Sequence, residues 1–231
     1  MTKNHLKRIA TPRTWPILRK LHTYVARPKS GKIQELSLPL SFVCKELLGI
    51  CQTTRQVKAL LENKQLVVDG KVRKDHRYPV GLYDVLTVVD SKKSYRIGLG
   101  KNGKLTAFEI PQSEKDITLG KVSSKQLVGK DMYQLSMLNG KVLKVDAKTA
   151  STIKVGDTLV LDASQKITKH LPLQKGQMVN FIGGRHIGSI GQIESTQNQK
   201  ITVLLENQPT ETLKKYAFVV GDKNAEVKIS E

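Results

Sequence analysis

The chain has 231 residues, with 39 lysines and arginines against 20 acids and a formal charge of +19. That length suffices for several small domains, and so large a surplus points to a polyanionic partner, nucleic acid above all, because each neutralised phosphate releases counterions. No apolar run approaches the ~20 residues of a membrane span, and Cys44 and Cys51 lie on apolar faces as buried thiols of a reducing cytoplasm, which argues against a membrane protein or a disulfide-stapled one.

The first 34 residues hold nine cations and no acid. They are Lys3, Lys7, Arg8, Arg13, Arg19, Lys20, Arg27, Lys29 and Lys32, and Pro12, Pro16 and Pro28 interrupt any long helix. The segment is expected to make no core of its own. Trp15 and Tyr24 among the charges fit an arm whose cations meet phosphates while its rings stack on unpaired bases. A transit peptide would also be rich in arginine and poor in acids, but the prolines and scarce serine argue for an arm kept in the mature protein.

Beyond Pro39 the pattern becomes regular. Ser41 is placed to cap a short helix carrying Phe42, Val43, Leu47 and Leu48 on one face, with Gly49 as its stop. Thr53 and Gln56 have the spacing of a capping box, opening a second helix that buries Val57, Leu60 and Leu61 and turns Arg55, Lys58 and Glu62 outward. The period then changes. Asp69-Gly70 between apolar residues predicts a tight hairpin, and Val80 to Val89 predicts a further strand. Lys71, Arg73, Lys74, His76 and Arg77 crowd this hairpin, so it and the second helix present adjoining positive surfaces.

From about residue 92 short strands recur with turn signals between them. Asn102-Gly103 and Asn139-Gly140 both predict hairpin turns. Ile153 to Leu161 and Leu173 to Phe181 share a pattern of glycine, polar residue and alternating strand, as two small β units entered in the same way would have, with a break near Lys169 to Pro172. The chain is thus α+β and multidomain: a basic extension over 1–40, a two-helix-plus-sheet module over 41–91, a β-rich central domain over 92–172 and a terminal β barrel over 173–231.

Catalytic motifs are scarce. Gly98 to Leu105 matches a phosphate-binding loop except at its last position, where the magnesium-holding hydroxyl is missing, and Lys104 to Pro111 reads as a strand where that loop needs a helix. The five histidines are scattered and form no metal spacing with the cysteines. No metal, cofactor or small-molecule substrate is expected, and no catalytic residue. The candidate site is one for RNA: the nine cations, Trp15 and Tyr24 of the extension, then Arg55, Lys58, Lys71, Arg73, Lys74 and Arg77.

With these parts in order, the whole chain resembles the small-subunit ribosomal protein family S4e of archaea and eukaryotes. Lys7-Arg-Ile-Ala-Thr-Pro-Arg-Thr-Trp-Pro16 looks like that family's amino-terminal signature. Residues 41 to about 90 resemble the RNA-binding module first named for bacterial ribosomal protein four, whose second helix and hairpin line the RNA surface. Here these are Thr53 to Lys64 and Val67 to Lys74. The module's usual Gly-Asp before its last strand departs to Gly81-Leu-Tyr-Asp84.

Lys175 to Glu194 resembles a KOW motif, which implies an SH3-like barrel filled by Val179, Phe181, Ile182, Ile190 and Ile193, with Gly183 and Gly184 at the turn. Arg185 and His186 then sit at an exposed tip toward RNA. The resemblance implies a non-catalytic constituent of the small ribosomal subunit, in the cytoplasm, with ribosomal RNA and neighbouring ribosomal proteins as partners. An RNA-modifying enzyme using the module, or a KOW-containing transcription elongation factor, is the alternative. The first lacks a glycine fingerprint for a dinucleotide or methyl donor, and the second leaves the arm and the module unexplained.

Overall fold

The chain pairs with itself within its first 25 residues. In the computed structural model, which describes residues 5–205, 208–222 and 225–228, β1 (Leu6–Lys7) and β2 (Tyr24–Val25) form a short antiparallel ribbon. Between them the chain is irregular, yet it contributes to a core, which corrects the expectation of a coreless arm. Trp15 is 1% exposed and Ile17 is also buried. The Trp15 ring lies 5.9 Å from that of Phe42, and its indole Nε1 donates to the Gln34 carbonyl at 3.0 Å. An indole buries ~150–250 Å² of mostly apolar surface, so the gain from packing on Phe42 outweighs what exposure among cations offers.

β3 (Ser37–Pro39) leads into α1 (Leu40–Phe42), which continues as the π-helical turn Val43–Leu47. Ser41 lies inside this helix and does not cap it. The amides of Leu40 and Ser41 instead donate to the carbonyls of Tyr78 and His76, at 2.9 and 2.8 Å, so the helix start finds backbone acceptors. Gly49, at φ +64°, ends the turn as expected.

α2 (Thr54–Glu62) has the anticipated capping box: Thr53 Oγ1 accepts from the Gln56 amide at 3.3 Å, and Gln56 Oε1 accepts from the Thr53 amide at 3.0 Å. It buries Val57 and Leu61, half-buries Leu60 and leaves Arg55, Lys58 and Glu62 exposed.

β4 (Leu66–Val68) and β5 (Lys71–Val72) pair across Asp69-Gly70, both at positive φ (+50° and +71°), the mirror-image turn that matches strand twist. The expected strand from Val80 to Val89 is two strands. β6 (Pro79–Gly81) pairs with β3, and β7 (Val85–Val88) pairs with β4. They are separated because the Asp84 carboxylate accepts from the Gly81 amide at 2.6 Å and folds residues 81–84 into a tight turn.

The sheet does not stop at residue 91. β8 (Lys93–Leu99) and β9 (Leu105–Ile110) extend it to the order β5-β4-β7-β8-β9, so the expected boundary at 91/92 falls within a sheet. The reason is local: a short turn after β7 lets β8 pair beside it, with Val85 opposite Arg96. Buried Arg96 then holds Glu114 at 2.6 Å. Leu105–Ile110 forms a strand where the phosphate-binding loop would need a helix, and before it the Gly103 amide donates to the Gly100 carbonyl at 2.8 Å, as a turn at Asn102-Gly103 requires.

The chain divides into two units, residues 1–98 with 104–116, and residues 99–103 with 117–231. In the second, β10 (Thr118–Leu127), β11 (Met132–Met137), β12 (Val142–Asp146), α3 (Ala147–Thr152), β13 (Thr158–Leu161) and β14 (Ile167–Leu171) give a sheet ordered β12-β11-β10-β13-β14. Its core is Val122, Leu135, Met137, Leu143, Ile153, Leu159 and Leu161. Asn139-Gly140 makes the β11–β12 turn.

β15 (Met178–Phe181), β16 (Ile190–Gln197), β17 (Lys200–Leu205), β18 (Gln208–Leu213) and β19 (Ala217–Gly221) form another five-stranded antiparallel sheet, ordered β18-β17-β16-β15-β19. The repeat read in the sequence has a physical basis: Gly156 and Gly176, at φ +103° and +89°, each turn the chain into the strand that follows. Among the described residues no helix is long and apolar enough to cross a membrane.

Candidate nucleic-acid interface

The extension spends several of its cations on its own fold. Arg8 is 5% exposed; its guanidinium is paired with Glu46 and donates to the Leu18 carbonyl at 3.1 Å. Arg19 donates to the carbonyls of Ile9 and Pro12, at 2.9 and 3.1 Å. An irregular chain has no ladder to satisfy its carbonyls, and these guanidiniums do so in place of water. In this conformation Arg8 is engaged by its ion pair and Trp15 lies in the core. Lys3 lies outside the described residues. Lys7, Arg13, Lys20 and Arg27 are exposed, and Tyr24 is 57% exposed beside the His5 ring, edge to face at 5.6 Å.

Lys32 is also drawn inward, its side chain 8% exposed and ion-paired with the buried Asp84. Burial works against the ammonium, but Asp84, and Asp69 beyond it, outweigh burial and hold its pKa above the ordinary lysine value. Lys29 is exposed and pairs with Asp75. Burial opposes ionisation of Asp75, yet Lys29 and the backbone amide of Arg77, at 2.8 Å, keep that carboxyl below its usual range.

The backbone joins the two stretches directly, since the Lys29 amide donates to the Arg77 carbonyl at 3.0 Å. Together they line a cleft of ≈ 420 Å³ whose walls are Arg27, Pro28, Lys29, Ser30, Lys32, Gln34 and Arg77. Four residues expected separately to meet RNA are thus brought together. Ser30 and Gln34 were missed because a serine and a glutamine carry no signal until a fold places them beside cations.

On the module, Arg55, Lys58, Lys71 and Lys74 are exposed. Arg73 is half-buried with its guanidinium 4.2 Å from the centre of the Tyr78 ring, a cation–π contact that fixes its direction. His76 is held below the ordinary histidine value, first by burial and then by Lys58, Arg77 and Lys29, against the pull of Asp75. Burial pushes the Cys44 thiol up to about 12, so it stays protonated.

In the second unit, residues 182–189 connect β15 to β16. Arg185 is exposed and His186 half-buried at this tip. Val179, Phe181 and Ile193 fill the core, whereas Ile182 and Ile190 are only half-buried, because they flank the connection and do not lie on the inner face. Gly188, at φ +82°, is required twice over, since a Cβ there would collide with the Gly100 carbonyl. At Gly183 a Cβ would sit 2.6 Å from the Tyr216 ring. The glycines are backbone punctuation, and Arg185 and His186 are the charged and titratable side chains of this connection.

Exposed cations and a polar cleft walled by Arg27, Lys29, Lys32 and Arg77 suit contact with a polyanion. Comparison with known proteins identifies the family. Residues 91–167 match the Ribosomal family S4e, and residues 2–31 match the RS4NT (NUC023) domain. The small ribosomal subunit protein eS4 of Methanocaldococcus jannaschii is 33% identical, over 98% of each chain. That of Archaeoglobus fulgidus is 31% identical over 98% of this chain and 97% of its own. Among solved structures, the crystal structure of the 30S ribosomal protein S4e from Thermoplasma acidophilum aligns with a TM-score of 0.66 over 81% of this chain and 95% of the other; at 24% identity this is a likeness of fold.

Proposed function

This chain belongs to ribosomal protein family S4e, and on that premise we propose that it is a structural constituent of the small ribosomal subunit that binds ribosomal RNA in translation. It acts without catalysis, in the cytoplasm, beside neighbouring small-subunit proteins. The observation that carries this reading is the likeness to small-subunit proteins along 98% of both chains. A transcription elongation factor would account for the sheet of β15 to β19 alone.

In this reading residues 41–91 serve as an RNA-binding module of the bacterial ribosomal-protein-four type, and residues 173–231 as an SH3-like KOW barrel. Arg55, Lys58, Lys71 and Lys74 on α2 and the β4–β5 hairpin meet phosphates, as do Lys7, Arg13, Lys20 and Arg27 of the extension. Such contacts position the protein and confer little sequence choice, while Tyr24 and the Arg185-His186 tip are available to unpaired bases. If six to ten phosphates are neutralised, affinity falls by roughly 10³- to 10⁵-fold between 50 and 200 mM salt, on the scale of duplex DNA.

Sedimentation of a native lysate through sucrose gradients tests the proposal. The protein is expected to travel with the small subunit at low salt and to leave it as salt rises; a protein that stays at the top at low salt overturns it.

A further inference from the structure

The cleft between the end of the extension and Arg77 is lined by no residue of α2 or of the β4–β5 hairpin among the described residues. We propose that it seats a phosphodiester of an RNA backbone, a separate point of attachment that holds one strand between the extension and the module. This rests on the RNA-binding reading above.

Four features carry it. Four cations and no acid line the cleft. Arg77, which lines the cleft, has its Nε buried without an acceptor among the described residues, so its guanidinium has donor capacity that a rotation of the side chain can turn to an anion's oxygen. Lys29 and Asp75 form a partly exposed pair, which an incoming phosphate can displace at little cost, whereas the buried Lys32–Asp84 pair is a fixed wall.

The fourth feature is the rest of the lining. Ser30 and Gln34 add a hydroxyl and a carboxamide, groups suited to a ribose 2′-hydroxyl, and among the described residues the lining has no aromatic side chain to stack on the base of a free nucleotide. The volume of ≈ 420 Å³ lies within the ~300–1,000 Å³ of small-ligand clefts, room for a phosphate and its sugar.

The test uses the full chain and a transcript of small-subunit ribosomal RNA, with filter binding from 50 to 200 mM salt. Arg27→Gln with Arg77→Gln is expected to weaken binding about tenfold at low salt and to make the salt slope shallower by about one, with an unchanged melting temperature. Wild-type affinity and slope in that variant, beside firm wild-type binding, would overturn the cleft and leave the ribosomal reading intact. A wild-type chain that does not bind the transcript at all overturns both.

A second measurement does not depend on the arginine variant folding. Ser30→Cys, labelled with a photo-crosslinker, is expected to crosslink to the transcript, and its failure to do so counts against the cleft. Inorganic phosphate, followed through the amide resonances of Ser30 and Gln34, separates the sources of the anion. Saturation by millimolar phosphate that the transcript cannot displace would mean a site for a small free anion and would overturn the proposal.

Discussion

The extension and the α2–hairpin face carry similar cations and use them differently. In the extension, Arg8, Arg19 and Lys32 turn inward to carbonyls or carboxylates. On α2 and the hairpin, Arg55, Lys58, Lys71 and Lys74 all face solvent. The difference follows from the backbone. Helix and strand satisfy their own amides and carbonyls, so their side chains are left for other work, whereas an irregular segment must recruit side chains to do the same. A basic arm is therefore partly a self-supporting structure, and its charge count overstates the charge it offers to RNA.

The largest expected effect tests the structural half of this contrast. Trp15→Ala should cost about 3–5 kcal/mol, the range for emptying an aromatic core site, and should lower the melting temperature well before RNA binding is considered. If Trp15 instead stacks on a base and is dispensable for folding, denaturant titration of the variant will match wild type and its RNA affinity will fall.

Lys121 sharpens the rule from the other side, because it stands on a regular strand and is still recruited, by the 3-10 turn Lys214–Tyr216 and the start of β19. It is 6% exposed on β10, and its Nζ donates to the carbonyls of Lys214, Lys215 and Ala217 at 3.1, 2.9 and 2.5 Å. Burial pushes its pKa down to about 8 from 10.5. The unfolded chain thus binds more protons between those values, so the burial penalty is fully present below pH 8 and is relieved as pH rises toward 10.5. Stability of wild type relative to Lys121→Met is expected to climb over that window by up to ~3 kcal/mol, from ~1.4 kcal/mol per unit. A flat difference in denaturant midpoints would show that the three carbonyls hold the ammonium charged throughout.

The smallest effect on stability belongs to the exposed face. Arg55→Gln with Lys58→Gln should leave stability within ~0.5 kcal/mol of wild type, and should weaken binding to the ribosomal RNA transcript with a salt slope shallower by about two. Loss of stability in this variant would erase the distinction between the two regions.

Much of the first unit could be read before folding, where the signal is local. The capping box at Thr53 and Gln56, the Asp69-Gly70 turn and the Gly49 stop depend on residues within a few positions of one another. Ser41 failed as a cap because the acceptors for its helix come from Tyr78 and His76, more than thirty residues away. Past residue 91 the sheet simply continues, because a short turn after β7 brings β8 beside it, with Val85 opposite Arg96.

The sequence by itself determined the charge, the Asn-Gly and Asp-Gly turns and the family, because composition and short-range backbone preference do not wait for a fold. Only the tertiary structure decided which cations remain outside. Arg8 and Arg55 are the same side chain in the same excess of charge. One is held by Glu46 and Leu18, brought to it from elsewhere in the chain, and the other stands on a helix whose backbone needs nothing from it.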